Sequence, residues 1–364
     1  MRKALAWLSP IVVVALALAA YLGAVLLRSQ GDPLTFARLG DGFVNGAPVG
    51  AQGYDGQFAY WIASDPRPAA AASHLDVPAY RYQRLLHPLL AWALAAGQAP
   101  LVPWTLVLVN VAAQLAGVWL VERWLTTHGV SRWYALSYGL WAGLVLAVRL
   151  DLAEPLAYAL AAAALLAGQR GRLGWSAAWL GLALFAKETT LAVWLGLAAW
   201  ALVNRRWRAL GLYAAAALPF AAFQVLLTRW FGAVGLASGG YLATPFEWLP
   251  YLGLWRVAGA SLPAFALLAA ILGPLIVLPS AWGALVAALR LARRDWSPMV
   301  WVLGANAALV VFAPFSTFHE PVGIIRLATG LVLAVVLFGA QVGARRVLNY
   351  SLFWLAALAL VIRD

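Results

Sequence analysis

The chain contains no cysteine, which removes disulfides, thiol nucleophiles and cysteine-ligated zinc or iron-sulfur centres from consideration. Its four histidines, His74, His87, His128 and His319, are scattered, so zinc or redox chemistry is a poor fit. Charge is scarce: 10% of residues are Asp, Glu, Lys or Arg, against about 25% in a soluble globular domain, and lysine occurs only at positions 3 and 187. Neither an internal repeat nor a low-complexity linker marks a second domain.

What the chain has in excess is apolar sequence. Hydrophobic residues make up 64% and the mean hydropathy is +0.83, values of a polytopic membrane protein. In lipid such runs must be helical, because only a helix satisfies its own backbone groups. The expected fold class is an all-α polytopic membrane protein of about 11 transmembrane helices, a hydrocarbon core needing roughly 20 apolar residues per crossing. It is expected as one membrane domain, 1–364, with external loops at 28–100 and 229–262.

The net charge of +12 would suggest nucleic acid for a soluble chain, but here arginines punctuate apolar runs in twos and threes, as topology signals do. Nucleic acid is therefore not an expected partner. Arg2 and Lys3 put the start of a first helix, 5–27, in the cytoplasm of a bacterial-type inner membrane; its apolar run is too long for a signal peptide. The segment 85–97 is too short to cross and is expected to lie in the interface. Further spans are then expected at 101–121, 133–150, 155–168, 173–186, 189–203, 209–228, 263–289, 298–314, 322–343 and 347–362. With that topology only Glu122 and Asp295 of the 13 acids fall inside, and the others, Asp364 included, lie at or beyond the outer face. The chemistry is expected there.

Ionisable groups at membrane depth are expensive and by default functional. Asp55 stands in Tyr54-Asp55-Gly56-Gln57-Phe58-Ala59-Tyr60, where Tyr54, Gln57 and Tyr60 could line a sugar-sized pocket; Asp-Gly is also a common turn dipeptide. Arg81, Arg84 and His87 recur every third residue, a spacing that stacks them on one helix face and suits either lipid headgroups or a phosphate. Asp151 and Glu154 flank an outer hairpin in which an Arg149–Asp151 salt bridge could be purely structural. Lys187-Glu188 places a lysine on the side where lysine is disfavoured, which points to anion binding. His319, Glu320 and Arg326 lie near another outer end, though residues six apart on a helix do not share a face.

The order of an acidic-aromatic first loop, Pro88-Leu89-Leu90-Ala91-Trp92, Glu154-Pro155-Leu156 and Ala186-Lys187-Glu188 resembles the GT-C superfamily of membrane glycosyltransferases, which includes protein O-mannosyltransferases and aminoarabinose transferases. The similarity covers roughly residues 1–200. It implies a polyprenyl-phosphate-linked sugar as donor, taken from the membrane lipid phase, and a glycan, lipid or protein acceptor that the residues do not specify. By position it implies Asp55 as general base, Glu154 or Asp151 as second acid, and Arg84 and Lys187, with Arg81 and Arg326, around the donor phosphate. Tyr54, Gln57, Tyr60, Glu188, His319 and Glu320 would line the substrate. The family often carries two adjacent acids where this chain has Asp55-Gly56, and no cofactor is obligatory, with room left for a divalent metal. The rival class is a transporter or flippase for a lipid-linked or anionic substrate, which would place its charges near the bilayer midplane in broken, repeated helices. A non-catalytic scaffold is a third.

Overall fold

A computed structural model describes residues 8–361; Arg2, Lys3, Asp364 and the outermost residues of the 5–27 and 347–362 spans lie outside the described residues. The described chain is 75% helical, with almost no strand. Five helices are long and apolar enough to cross a membrane: Pro10–Arg28, Ala99–Thr127, Trp207–Phe231, Leu262–Ala292 and Pro321–Gln341. Shorter apolar helices, Leu173–Ala186, Glu188–Val203 and Pro298–Val311, pack between them.

Local chemistry sets the helix boundaries. Proline occupies the first turn of Pro10–Arg28, Val102–Thr127, Glu154–Gln169, Pro298–Val311 and Pro321–Leu327, where its missing N–H costs nothing. Gly232, at φ 73°, ends Trp207–Phe231 in the left-handed cap that glycine adopts freely. Within Leu262–Ala292, Pro274 cannot donate to the ladder, and a π turn over Gly273–Val277 absorbs the break. Among the described residues the one sheet is a hairpin, Phe43–Val44 with Ala47–Pro48, turned by Asn45 and Gly46 at φ 51° and 80°.

At the centre runs Thr329–Gln341, buried on every side over all but its last residue. Lipid is as apolar as leucine, so such a helix is held by close packing and by polar ties rather than by escape from water. Trp124 Nε1 donates to the Leu337 carbonyl at 2.9 Å, and Trp141 Nε1 to that of Ile325 at 3.0 Å.

The expected 133–150 span is not one helix. It is three pieces, Arg132–Ala135, Leu136–Gly139 and Ala142–Arg149. Residues 138–148 are all buried, so protein rather than lipid satisfies the broken backbone. The segment 85–97 does form a short helix, Leu86–Leu94, whose nine residues rise about 14 Å, too little to span.

Helix ends gather at two opposite places. At one, Arg132 Nη2 donates to the Leu8 carbonyl at 3.2 Å, Gln169 meets His128 at 3.0 Å, and Asn204 donates to the Trp296 carbonyl at 3.2 Å. At the other, residues 29–101 fold over the bundle, the Gly56–Ser64 helix packing on Leu86–Leu94 and Val102–Thr127.

Candidate functional site

At that second end, charged residues from five separate stretches of chain gather: Asp76, Arg81, Asp55, Arg326, Glu154 and Lys187 form one continuous ion-pair network, and Arg84–Glu188 is a further pair next to Lys187 in the chain. Asp55 sits immediately before the Gly56–Ser64 helix without capping it. Gly56 is required there: a Cβ would come within 2.1 Å of the Leu150 carbonyl, so the backbone of the Asp55 segment lies directly on the 150–153 turn. The Asp-Gly pair is thus a docking point as well as a turn.

The two Asp55 oxygens go to different guanidinium groups, Oδ1 to Arg81 Nη1 at 3.0 Å and Oδ2 to Arg326 Nη1 at 3.1 Å. Burial would raise the Asp55 carboxyl, but Arg81 and then Arg326 outweigh it and hold the group well below the usual carboxylate range. Arg81 is fixed from behind by Asp76, which accepts from its Nε and Nη2 at 2.7 Å each, and it stacks 4.3 Å over the Phe58 ring. Arg326 is fixed by Glu154, its Nε lying 2.7 Å from Oε1. The same Glu154 oxygen accepts from Lys187 Nζ at 2.8 Å. Arg84 grips Glu188 with two bonds, 2.8 and 2.5 Å, and donates to the Tyr80 hydroxyl as well. Burial pushes the Lys187 ammonium down to about 8, against the pull of Glu154 and with Arg84 and Arg326 acting in the same sense as burial.

Four cations therefore meet four carboxylates. Exposure separates their roles: the Asp55 side chain is 27% exposed, Glu188 16%, Asp76 3% and Glu154 0%. Glu154 is closed off from solvent and holds Lys187 and Arg326, whereas Asp55 is the most accessible of the four carboxylates. Tyr54 completes the rim, its hydroxyl donating to Glu320 Oε1 at 2.6 Å and accepting from Arg326 Nη1 at 3.0 Å.

No protein-family model, curated protein or solved structure matches the chain. Its site therefore stands on its own geometry.

That geometry gathers most of the residues singled out in the sequence and leaves others aside. Arg81 and Arg84 both arrive, but not on one helix face: Arg81 belongs to Pro78–Tyr82, Arg84 to the following turn, and His87 to Leu86–Leu94. His87 is buried against the Leu106 carbonyl at 3.4 Å and makes no ion pair with the network. Glu320 and Arg326 do converge, because the chain breaks between Phe315–His319 and Pro321–Leu327 and both side chains meet at the Tyr54 hydroxyl. His319 packs against Phe315 instead.

Asp151 does not join. It is fully buried at φ 49°, neither carboxylate oxygen has a hydrogen-bond partner, and burial pushes its carboxyl up against the opposing charge of Arg149. Arg149 donates instead to the Thr35 carbonyl at 2.8 Å. Gln57 is a strut, accepting from Gly40 N–H at 3.0 Å and donating to the Gln52 carbonyl at 2.8 Å, and Tyr60 packs edge-on against Trp61. The sequence reading passed over Asp76 and Tyr80; the Tyr80-Arg81-Tyr82-Gln83-Arg84 run, cations interleaved with aromatics, was the signal for the latter.

Two cavities flank the network. One of about 620 Å³, beside the Asp76–Arg81 pair, is lined by Phe43, Asn45, Ser73, Asp76 and Tyr241, a mixture of aromatic faces and hydrogen-bonding groups. The larger, about 660 Å³, lies by Arg38 and Arg149 and includes no residue of the network. The second is larger, but of the two only the first is lined by a residue of the network, Asp76. Among the described residues no three His, Asp or Glu side chains converge as metal ligands.

Proposed function

We propose that this chain is a membrane glycosyltransferase that moves a sugar from a polyprenyl-phosphate carrier to an acceptor hydroxyl at the extracytoplasmic face, as its resemblance to the GT-C superfamily implies. The topology proposed with it has 11 crossings, a cytoplasmic N-terminus and a bacterial-type inner membrane, as expected from the sequence. The observation that carries the reading is one relationship: Asp55, the most exposed of the four acids, is bracketed by Arg81 and Arg326, with Lys187 in the same network and the Arg84–Glu188 pair as a further member of the cluster.

Glycosyl transfer from a lipid phosphate asks for those two capacities together. A base must take the proton of the acceptor hydroxyl, and fixed cations must neutralise the phosphate that departs. Asp55 supplies the first, and guanidinium forks, with five donors each, supply the second. The aromatic and polar cavity beside Asp76 has the character of a sugar or glycan site. A transporter would be expected to keep such charges at the bilayer midplane. Here they stand at helix ends, Glu154 and Lys187 each at the terminus of a helix.

The test is transfer of label from a panel of polyprenyl-phosphate-linked sugars into membranes containing the protein. Label that stays on every carrier would rule the reading out.

A further inference from the structure

Every one of the four cations already has a carboxylate partner, so an arriving phosphate competes with a carboxylate for it. We infer that Asp55 is the carboxylate displaced: it occupies the donor phosphate's position between Arg81 and Arg326, and the donor frees it to act as base. The inference rests on the transferase reading above and adds to it the order of events.

Three features single out Asp55. Its attachments differ from those of its neighbours, because Asp76 and Glu154 hold their arginines through Nε, Asp76 adding Nη2, whereas Asp55 takes only Nη1 from each. When Asp55 leaves, both guanidinium groups stay fixed by their other partners, and two Nη1 groups remain aimed at one place. That is a preformed two-pronged anion receptor. Next, Asp55 is weakly tethered: its side chain does not cap the helix it precedes, and it is the most exposed of the four acids. Finally the charges match. A phosphodiester bears one negative charge across two non-bridging oxygens, as a carboxylate does, so the exchange preserves the balance of the buried network. Losing an anion without replacing it would leave Arg81 and Arg326 with Asp76 and Glu154 as their remaining ion-pair partners and the buried cluster short of one negative charge.

The consequence is an ordered reaction. While Arg81 and Arg326 hold Asp55 they keep it strongly acidic, and a strongly acidic carboxyl is a poor base. Once phosphate takes the guanidinium groups, the carboxylate is released beside the sugar and its basicity rises. The acceptor oxygen then bonds to the anomeric carbon, the bond from that carbon to the phosphate oxygen breaks, and the hydroxyl proton passes to Asp55. Polyprenyl phosphate leaves with one more negative charge than the donor carried, so protonated Asp55 cannot compete with it until it has given up that proton.

The exchange can be read by binding alone, with purified full-length protein and farnesyl phosphate in isothermal titration. Asp55→Asn removes the competing charge with little change in shape, and affinity should rise at least about tenfold, the size of one close charge pair. Asp55→Ser, which also removes the charge, should do the same and guards against a folding defect in the first variant. Arg81→Gln should weaken binding. Inorganic phosphate forms a second arm: tightening there as well assigns the receptor to any phosphate, and tightening with farnesyl phosphate alone assigns it to a lipid headgroup, either result supporting the exchange. Unchanged or weaker binding of both probes by both Asp55 variants overturns it. Tighter binding by those variants in a protein that transfers no sugar would uphold the exchange and remove the transferase reading, so the two fail separately.

Discussion

Asp55 and Arg326 stand 271 residues apart in the chain, yet Oδ2 of the first lies 3.1 Å from Nη1 of the second. One guanidinium thereby links the first extramembrane segment to the buried Glu154, which it meets through Nε at 2.7 Å. Lysine would do this less well, since its three donors radiate from one nitrogen and lack the fixed fork that reaches two carboxylates from separate nitrogens. Arg326→Lys is expected to keep the charge and still lower affinity for a polyprenyl-phosphate sugar by about tenfold or more. Titration of purified protein checks it, and unchanged affinity would make Arg326 a structural tie.

Glu154 presents the converse case. Its carboxylate is fully buried and shares one oxygen between Lys187 and Arg326. Glu154→Gln would strip Lys187 of its ion-pair partner and leave Arg326 with Asp55 alone, and breaking a buried pair in this way costs roughly 3–5 kcal/mol. The thermal unfolding midpoint in detergent should fall clearly. A variant as stable as the parent would show that water or lipid reaches these groups.

Lys187 predicts a pH dependence. Its ammonium is lowered from 10.5 to about 8, so the charge it adds beside the receptor is present below that pH and lost above it. Donor affinity should decline as pH rises through about 8, and Lys187→Arg, which stays protonated, should abolish the decline. Stability runs the other way: between about 8 and 10.5 the unfolded chain holds the proton more firmly than the folded one, so folding gains as pH rises across that window. A parent and Lys187→Arg with identical affinity profiles would exclude Lys187 from donor binding.

The absence of cysteine makes sidedness directly measurable. Val49, 64% exposed, lies in the segment that covers the network, and Ser131 lies at the opposite helix ends. Val49→Cys in intact cells should react with an impermeant thiol reagent, and Ser131→Cys should react only after the membrane is opened. The reverse pattern would put the network in the cytoplasm.

Much of this was legible in sequence, and the rest was hidden for identifiable reasons. Apolar runs and first-turn prolines mark the helices because lipid forces regular hydrogen bonding. The 133–150 segment escapes that rule by being enclosed: a Cβ on Gly143 would sit 2.5 Å from the Ile325 carbonyl, so the chain there is shaped by contact with backbone rather than by lipid. The hairpin at Asn45-Gly46 was readable from its turn residues and went unread. Asp55, Arg84 and Lys187 stood out because a charge is conspicuous in an apolar chain. How they pair did not, since nothing local ties Asp55 to Arg326 or Arg84 to Glu188, 104 residues away. Asp151 is conspicuous as an acid in an apolar turn, but nothing in the sequence tells that it is buried apart from the ion pairs its neighbour Glu154 joins.

Sugar transfer in proteoliposomes, comparing the parent chain with Asp55→Asn, tests the central claim most directly. The parent is expected to move labelled sugar from at least one polyprenyl-phosphate carrier to an acceptor, and Asp55→Asn to lower that rate by about 100-fold or more while binding the carrier at least as tightly. Equal transfer by the two proteins, or a parent that carries the intact lipid-linked sugar across the bilayer and never cleaves it, would contradict it.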